Sequence, residues 1–189
     1  MDKLAIDIAL LPPDAVMDKA IQINKRFEPS FNLNKNDRLP HITILQAIIN
    51  KENLSQAKAK LKEIALQFSP LKLKASPVNE PSPMLEVSKT KDLNDLHHQI
   101  MDKYSNLISY EVEERYFYDS HIRQKSLEYV RNFLTNAAYD NYYPHITLGT
   151  KLPVSSKFEL EFTAKRLVIC HLGNYNTCRQ ILAETKLGS

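Results

Sequence analysis

The tetrapeptide Pro-His-Ile-Thr occurs twice in this chain, as Pro40-His41-Ile42-Thr43 and as Pro144-His145-Ile146-Thr147, with the two histidines 104 positions apart. Each copy sits in strand-like sequence, Leu39 to Ile49 around the first and Tyr142 to Leu152 around the second. An echo of this kind demands a fold with two related strands, one in each half of the chain. Successive side chains on a strand point to opposite faces, so His41 and Thr43 share one face while Ile42 and Ile44 take the other. The second copy repeats the pattern, with His145 and Thr147 together against Ile146 and Leu148. A strand anchored by its apolar side and offering His and Thr on the other is the wall of a polar cleft. Two such walls facing each other hold two imidazoles and two hydroxyls.

The remaining periodicities alternate between strand and helix. Leu4 to Leu11 reads as a strand that stops at Pro12-Pro13, and Asp14 to Phe27 follows with Val16, Ala20, Ile23 and Phe27 at helical spacing. Glu28 to Arg38 is loop-like. Helices are expected over Glu52 to Phe68, Leu93 to Leu107 and Ser126 to Ala138; strands over Leu71 to Val78, Met84 to Val87, Phe158 to His171 and Cys178 to Leu187. The last two form a hairpin around Gly173-Asn174. This order predicts an α+β fold with antiparallel pairing rather than a doubly wound parallel sheet. At 189 residues the chain fits one domain, or two small lobes sharing a core.

Composition removes several classes of function. Only 3 glycines are present, so no Gly-rich phosphate loop or dinucleotide fingerprint can be built. A net charge of +3 is too small to coat a nucleic acid by charge alone, so any such contact should be small and site-like. Two cysteines, Cys170 and Cys178, build no disulfide framework or zinc ladder, and reduced thiols facing each other across the last hairpin are expected. Asp7 interrupts the first apolar stretch, which reads as a strand rather than a signal peptide, and no run approaches a spanning helix. A cytoplasmic protein, monomeric and without membrane contact, is the expectation.

Two imidazoles and two hydroxyls suit phosphoryl transfer without a metal. Histidine titrates near neutrality, so one ring can stay neutral to take a proton while its twin stays charged to give one. Each threonine can donate its hydroxyl hydrogen to a non-bridging phosphate oxygen. A single His-x-Thr means little, because histidines on strands are more often structural. The repeat, its Pro-led start, the matching parity and the placement of one copy in each half together favour catalysis.

At these residues the chain resembles the 2H phosphoesterase superfamily, whose signature is two His-x-Thr/Ser motifs, and within it the ligT-like 2′-5′ RNA ligases and cyclic phosphodiesterases. His41-Ile42-Thr43 and His145-Ile146-Thr147 match both motifs. The resemblance implies two pseudo-symmetric lobes of antiparallel sheet backed by helices around a central cleft, as one bilobal domain over residues 1–189. It implies a metal-independent hydrolase, with no cofactor, acting on 2′,3′-cyclic phosphates of RNA ends or nucleotides. His41 would protonate the leaving ribose oxygen and His145 would activate water, or the reverse, with Thr43 and Thr147 binding the phosphate. Cleavage or ligation of 2′-5′ linkages is the alternative within the enzyme class, and a non-catalytic nucleotide- or RNA-binding module the alternative outside it. The chain departs from the usual pattern at Leu148-Gly149-Thr150-Lys151, where the basic residue arrives one place late, and at Ile44-Leu45-Gln46-Ala47-Ile48.

Parity adds Tyr143 and Lys151 to the face of His145, the first to stack a base or else to pack on a neighbouring helix, the second to raise positive potential near a phosphate or else to sit solvated at a strand end. Tyr116-Phe117-Tyr118, with His121, Arg123 and Lys125 after it, mixes aromatic and basic groups as a nucleotide-gripping loop does, though such a run more often divides between core and surface. His97 and His98, adjacent in a helix, point about 100° apart and read as structural.

Overall fold

A computed structural model describes residues 2–25, 32–79, 82–149 and 158–188. One antiparallel sheet contains β1 (Lys3–Leu11), β2 (Ile42–Asn50), β5 (Ile108–Ser109), β8 (Arg166–Leu172) and β9 (Cys178–Lys186), in the order β5-β2-β1-β8-β9. A second contains β3 (Leu71–Val78), β4 (Met84–Val87), β6 (His145–Thr147) and β7 (Leu160–Ala164), in the order β6-β4-β3-β7. Every pairing in both is antiparallel. The helices are α1 (Asp14–Asn24), α2 (Leu54–Ala65), α3 (Lys91–Tyr104), α4 (Gln124–Arg131) and α5 (Phe133–Asn136). This is the α+β, two-sheet architecture expected from the sequence.

β1 lies in the middle of its sheet with both edges paired, and the side chains of both its faces are buried. Its Ile6, Ile8 and Leu10 join Leu61 and Ile64 of α2, Leu96 and Ile100 of α3, and Leu73, Leu85 and Phe162 of the second sheet in one apolar cluster. Each fully buried Leu or Ile in it contributes about 1.5–3 kcal/mol. Tyr104 of α3 donates its hydroxyl to the Ala57 carbonyl at 2.6 Å and so ties α3 to α2. On the opposite face of β1, Ala5 enters one small cluster and Ala9 and Leu11 another. Between them on that face stands Asp7, a charged side chain with no solvent exposure.

Several element boundaries differ from the periodicity. The strand expected over Phe158 to His171 is two strands, β7 and β8, which belong to different sheets and turn at Lys165. The alternation of Phe158 to Ala164 stops at Lys165-Arg166 and gives way to the apolar run Leu167 to Cys170, the pattern of a strand covered on both faces. The helix expected over Ser126 to Ala138 breaks at Asn132 (φ −100°, ψ 11°), a residue whose side chain competes for backbone bonds. Around the second motif only His145–Thr147 pair as strand, since Pro144 lacks the N–H a ladder needs. Phe27 and the stretch from Thr150 to Leu152, placed by sequence in the first helix and this strand, lie outside the described residues. The expected hairpin is present as β8 and β9. Cys170 and Cys178, expected as thiols, are joined there as a disulfide with Cα atoms 5.4 Å apart. Two register shifts in the β8–β9 pairing, after Ile169 and after His171, accompany that approach. Among the described residues no helix is long and apolar enough to cross a membrane.

Candidate active site

The first motif owes its geometry to a β-bulge. Residues Ala9 and Thr43 pair across β1 and β2, then Ile8 pairs with Leu45, so Ile44 is the extra residue. The insertion resets parity: Gln46, three positions after Thr43, falls on the same face as Thr43 and opposite Asp7. Three groups then converge on one carboxylate oxygen. Asp7 Oδ2 accepts from Thr43 Oγ1 at 2.8 Å and from Gln46 Nε2 at 2.8 Å, and lies 3.4 Å from His41 Nε2.

The bulge itself is held from α3 and from the segment before the second motif. His97 Nδ1 donates to the Ile44 carbonyl at 2.8 Å, while its Nε2 accepts the Tyr139 N–H at 2.8 Å. That pattern requires the neutral Nδ1-H tautomer. Burial lowers the His97 pKa to about 4, so the ring is neutral near pH 7. Its ring stacks flat on Tyr142 at 3.9 Å, and Tyr142 donates to the Thr43 carbonyl at 3.1 Å. His97 is therefore structural, as its helical position suggests, but what it supports is the first motif.

The two motif histidines have opposite surroundings. In His41, Nδ1 is 2.7 Å from the Leu39 carbonyl and Nε2 faces Asp7, so both ring nitrogens face acceptors. Burial opposes a charge there, yet the hydrogen bond and negative charge of Asp7 outweigh it and the pKa lies above the ordinary value. In His145, Nδ1 donates to the Tyr143 carbonyl at 2.8 Å, which leaves Nε2 as an acceptor. Burial, with the nearby His41 charge, holds this ring below the ordinary value. The two rings are thus biased in opposite directions, His41 toward its charged form and His145 toward its neutral one.

His41, Thr43, His145 and Thr147 all line one cavity of about 180 Å³, together with Gln46, Tyr129 and the turn Tyr175-Asn176-Thr177. That turn joins β8 to β9 with Tyr175 and Asn176 in the left-handed region (φ 60° and 55°). Side chains from the segment before α4 and from its first turn hold it, through Asp119 Oδ2 to Asn174 N at 2.8 Å and Ser126 Oγ to Tyr175 N at 3.1 Å. Gly173 admits this approach, because a Cβ there would meet Arg179 Cγ at 2.3 Å and Asp119 Oδ2 at 2.4 Å.

A second cavity of about 330 Å³ adjoins the first and is lined by Met84, Phe133, Tyr142 and Tyr143 along with Thr43, Tyr129 and His145. Tyr143 is 41% exposed, with its ring 5.7 Å from that of His145. Lys151, the other expected substrate contact, lies outside the described residues. Tyr116 and Phe117 are buried in an apolar cluster away from the cavity, and Tyr118 is half exposed beneath the Arg179 guanidinium, so that aromatic run divides between core and surface. Among the described residues no group of three His, Cys, Asp or Glu side chains could hold a metal ion.

Sequence reading missed Asp7, Gln46 and Tyr129. A carboxylate inside an apolar strand, at the parity of Ala5 and Ala9, is a legible signal for Asp7. The bulge hid Gln46, and Tyr129 carries no local sign.

Two sheets, with one His-x-Thr strand in each and both motifs lining one cleft, define the fold class to which this chain belongs structurally: the two-lobed, LigT-like fold. No family model matches the sequence. TT0787 of Thermus thermophilus aligns over 98% of this chain and 99% of its own, with a TM-score of 0.62 at 14% identity. LigT of Escherichia coli, in the structure complexed with 3′-AMP, aligns over all of both chains with a TM-score of 0.56 at 12% identity. LigT complexed with NADP+ gives the same TM-score over 99% of each chain. In sequence, a protein of Oceanobacillus iheyensis that bears the provisional name phosphoesterase OB1230 is 28% identical over 96 residues. That match spans 48% of this chain and about half, 54%, of the relative. The resemblance carried by the two motifs is thus borne out in fold.

Proposed function

We propose that this protein is a cyclic phosphodiesterase that opens 2′,3′-cyclic phosphates on RNA ends or nucleotides by water attack. The observation that carries the reading is the pair of motif imidazoles lining one cavity, His41 beside the Asp7 carboxylate that favours its charged form and His145 in surroundings that favour its neutral form. His145 Nε2 takes the proton of a water whose oxygen bonds to phosphorus. As the bond from phosphorus to one ribose oxygen breaks, His41 Nε2–H gives its proton to that oxygen. Its 3.4 Å separation from Asp7 is longer than a strong hydrogen bond, so the same N–H is available to a leaving group. Thr147 binds a non-bridging oxygen. The second cavity has aromatic walls suited to a base, with Tyr143 stacking on it, and the nucleotide complexes of LigT agree with such a ligand.

The decisive experiment is a product assay on a panel of nucleoside 2′,3′-cyclic phosphates and 2′-5′ oligoadenylate, resolving 2′- from 3′-phosphate. Opening of the cyclic substrates is expected. His41→Ala and His145→Ala should each lower the rate by about 10²- to 10⁴-fold, and activity should survive EDTA because both proton transfers are supplied by side chains. Full activity in either variant overturns the assignment; turnover confined to the oligoadenylate points to a 2′-5′ diesterase instead.

A further inference from the structure

The duplicated motif offers a phosphate two threonine hydroxyls, but the structure leaves only one of them ready to donate. Thr43 Oγ1 is already engaged, donating to Asp7 Oδ2 at 2.8 Å, and Gln46 Nε2 lies 3.4 Å from that same hydroxyl oxygen. Releasing its hydrogen to a substrate would remove one of the donors that neutralise a fully buried carboxylate. Thr147 lines the same cavity, and among the described residues nothing engages its hydroxyl. A phosphate bound between the histidines therefore lacks a hydroxyl donor on the His41 side.

Tyr129 of α4 stands where that donor is missing. Three described residues line both cavities, and they are Thr43, His145 and Tyr129. The Tyr129 ring sits edge-on to Phe133, with centroids 6.0 Å apart, and the residue is 40% exposed at the cleft rim. Burial of its hydroxyl end, together with the Asp7 charge, pushes the phenol up to about 12. The O–H therefore stays protonated at neutral pH, a donor with no carboxylate or carbonyl engaging it among the described residues.

We propose that the Tyr129 hydroxyl donates to a non-bridging phosphate oxygen in the first cavity, in the place that motif symmetry would give to Thr43. The proposal rests on the phosphoester reading above and names a further catalytic residue for it, supplied by α4 rather than by either motif. The phosphate is then held by unlike groups, Thr147 from the second sheet and Tyr129 from the helix. Thr43 acts through Asp7 on His41 as a positioning residue.

Tyr129→Phe removes the donor and keeps the ring on Phe133, with circular dichroism as the check on folding. Two readouts are compared with the unaltered protein: kcat/KM on a nucleoside 2′,3′-cyclic phosphate, and the Kd for inorganic phosphate by calorimetry. Both should worsen by about 10- to 100-fold, while the limbs of the pH profile, which belong to the histidines, stay in place. Thr147→Val should weaken phosphate binding as well, and Thr43→Val should instead move the His41 limb. If the unaltered protein turns over the cyclic substrate and Tyr129→Phe matches it within twofold in both readouts, the proposal fails and the phosphodiesterase reading stands. If phosphate binding is lost on substitution although no cyclic phosphate is opened by the unaltered protein, the donor role holds and the reaction has been misread. A native protein that neither binds phosphate nor turns over substrate overturns both.

Discussion

At His41 and His145 one tetrapeptide produces two rings whose surroundings favour opposite forms, and a pair of tests separates the causes. Asp7→Asn keeps the shape and the acceptor for Thr43 but removes the negative charge facing His41 Nε2. Because Asp7 is what outweighs burial at His41, the neutral amide should lower that ring's pKa. In the proposed mechanism activity requires His41 charged, so it is lost as pH rises through the His41 value, and the variant should lose it at lower pH. The acidic limb, governed by His145, lies below the ordinary histidine value and should move little. A pH profile of kcat/KM checks this, and an unmoved alkaline limb would mean that Asp7 is not what keeps His41 charged. Gln46 is the second residue of interest. Gln46→Leu strips one donor from the buried carboxylate and should cost about 1–3 kcal/mol in urea denaturation. Neither residue belongs to the motif, yet Asp7 announces itself as a charge among apolar neighbours, whereas Gln46 is legible only once the bulge is known.

At the scale of elements, the bulge in β2 is the device that turns a strand into a wall of the cavity, and α3 holds it. The Ile44 carbonyl, displaced from the ladder, is met by His97, whose other nitrogen accepts from Tyr139 just before the second motif. Protonating His97 would set an N–H against the Tyr139 N–H and break that link. The His97 pKa falls from 6.5 to about 4 on folding, so the unfolded chain binds more protons between those values. The stability from this ring is complete above pH 6.5 and declines as pH falls toward 4. Thermal unfolding midpoints should drop across that window, and His97→Gln should flatten the slope; an unchanged slope would assign the acid sensitivity elsewhere. The elements themselves were largely visible in sequence, including all four principal helices and both motif strands. What escaped was where each ends. Phe158 to His171 divides between two sheets at Lys165, where the alternation of Phe158 to Ala164 gives way to the apolar run Leu167 to Cys170; periodicity records which side is apolar and not which strand lies alongside.

For the whole molecule, the placement of one motif in each sheet makes the cleft a product of both halves. We propose that residues 1–189 nevertheless unfold as one unit, since a single apolar cluster takes Ile8 and Leu10 from the first sheet and Leu73, Leu85 and Phe162 from the second. Calorimetry should give one transition with matching van't Hoff and calorimetric enthalpies; two resolved transitions would show that the lobes fold separately. The amino-acid sequence by itself determined the strand parity, the duplicated His-x-Thr faces and the α+β class, because these follow from the spacing of side chains along a local backbone. It also excluded glycine-dependent phosphate loops. Only the tertiary structure decided which imidazole sits beside a carboxylate, which threonine is engaged and that Tyr129 stands at the junction of the two cavities. Those properties depend on charge and burial at a point in space, and Asp7, Thr43, Tyr129 and His145 are brought to that point from β1, β2, α4 and β6, across separations that no local pattern encodes.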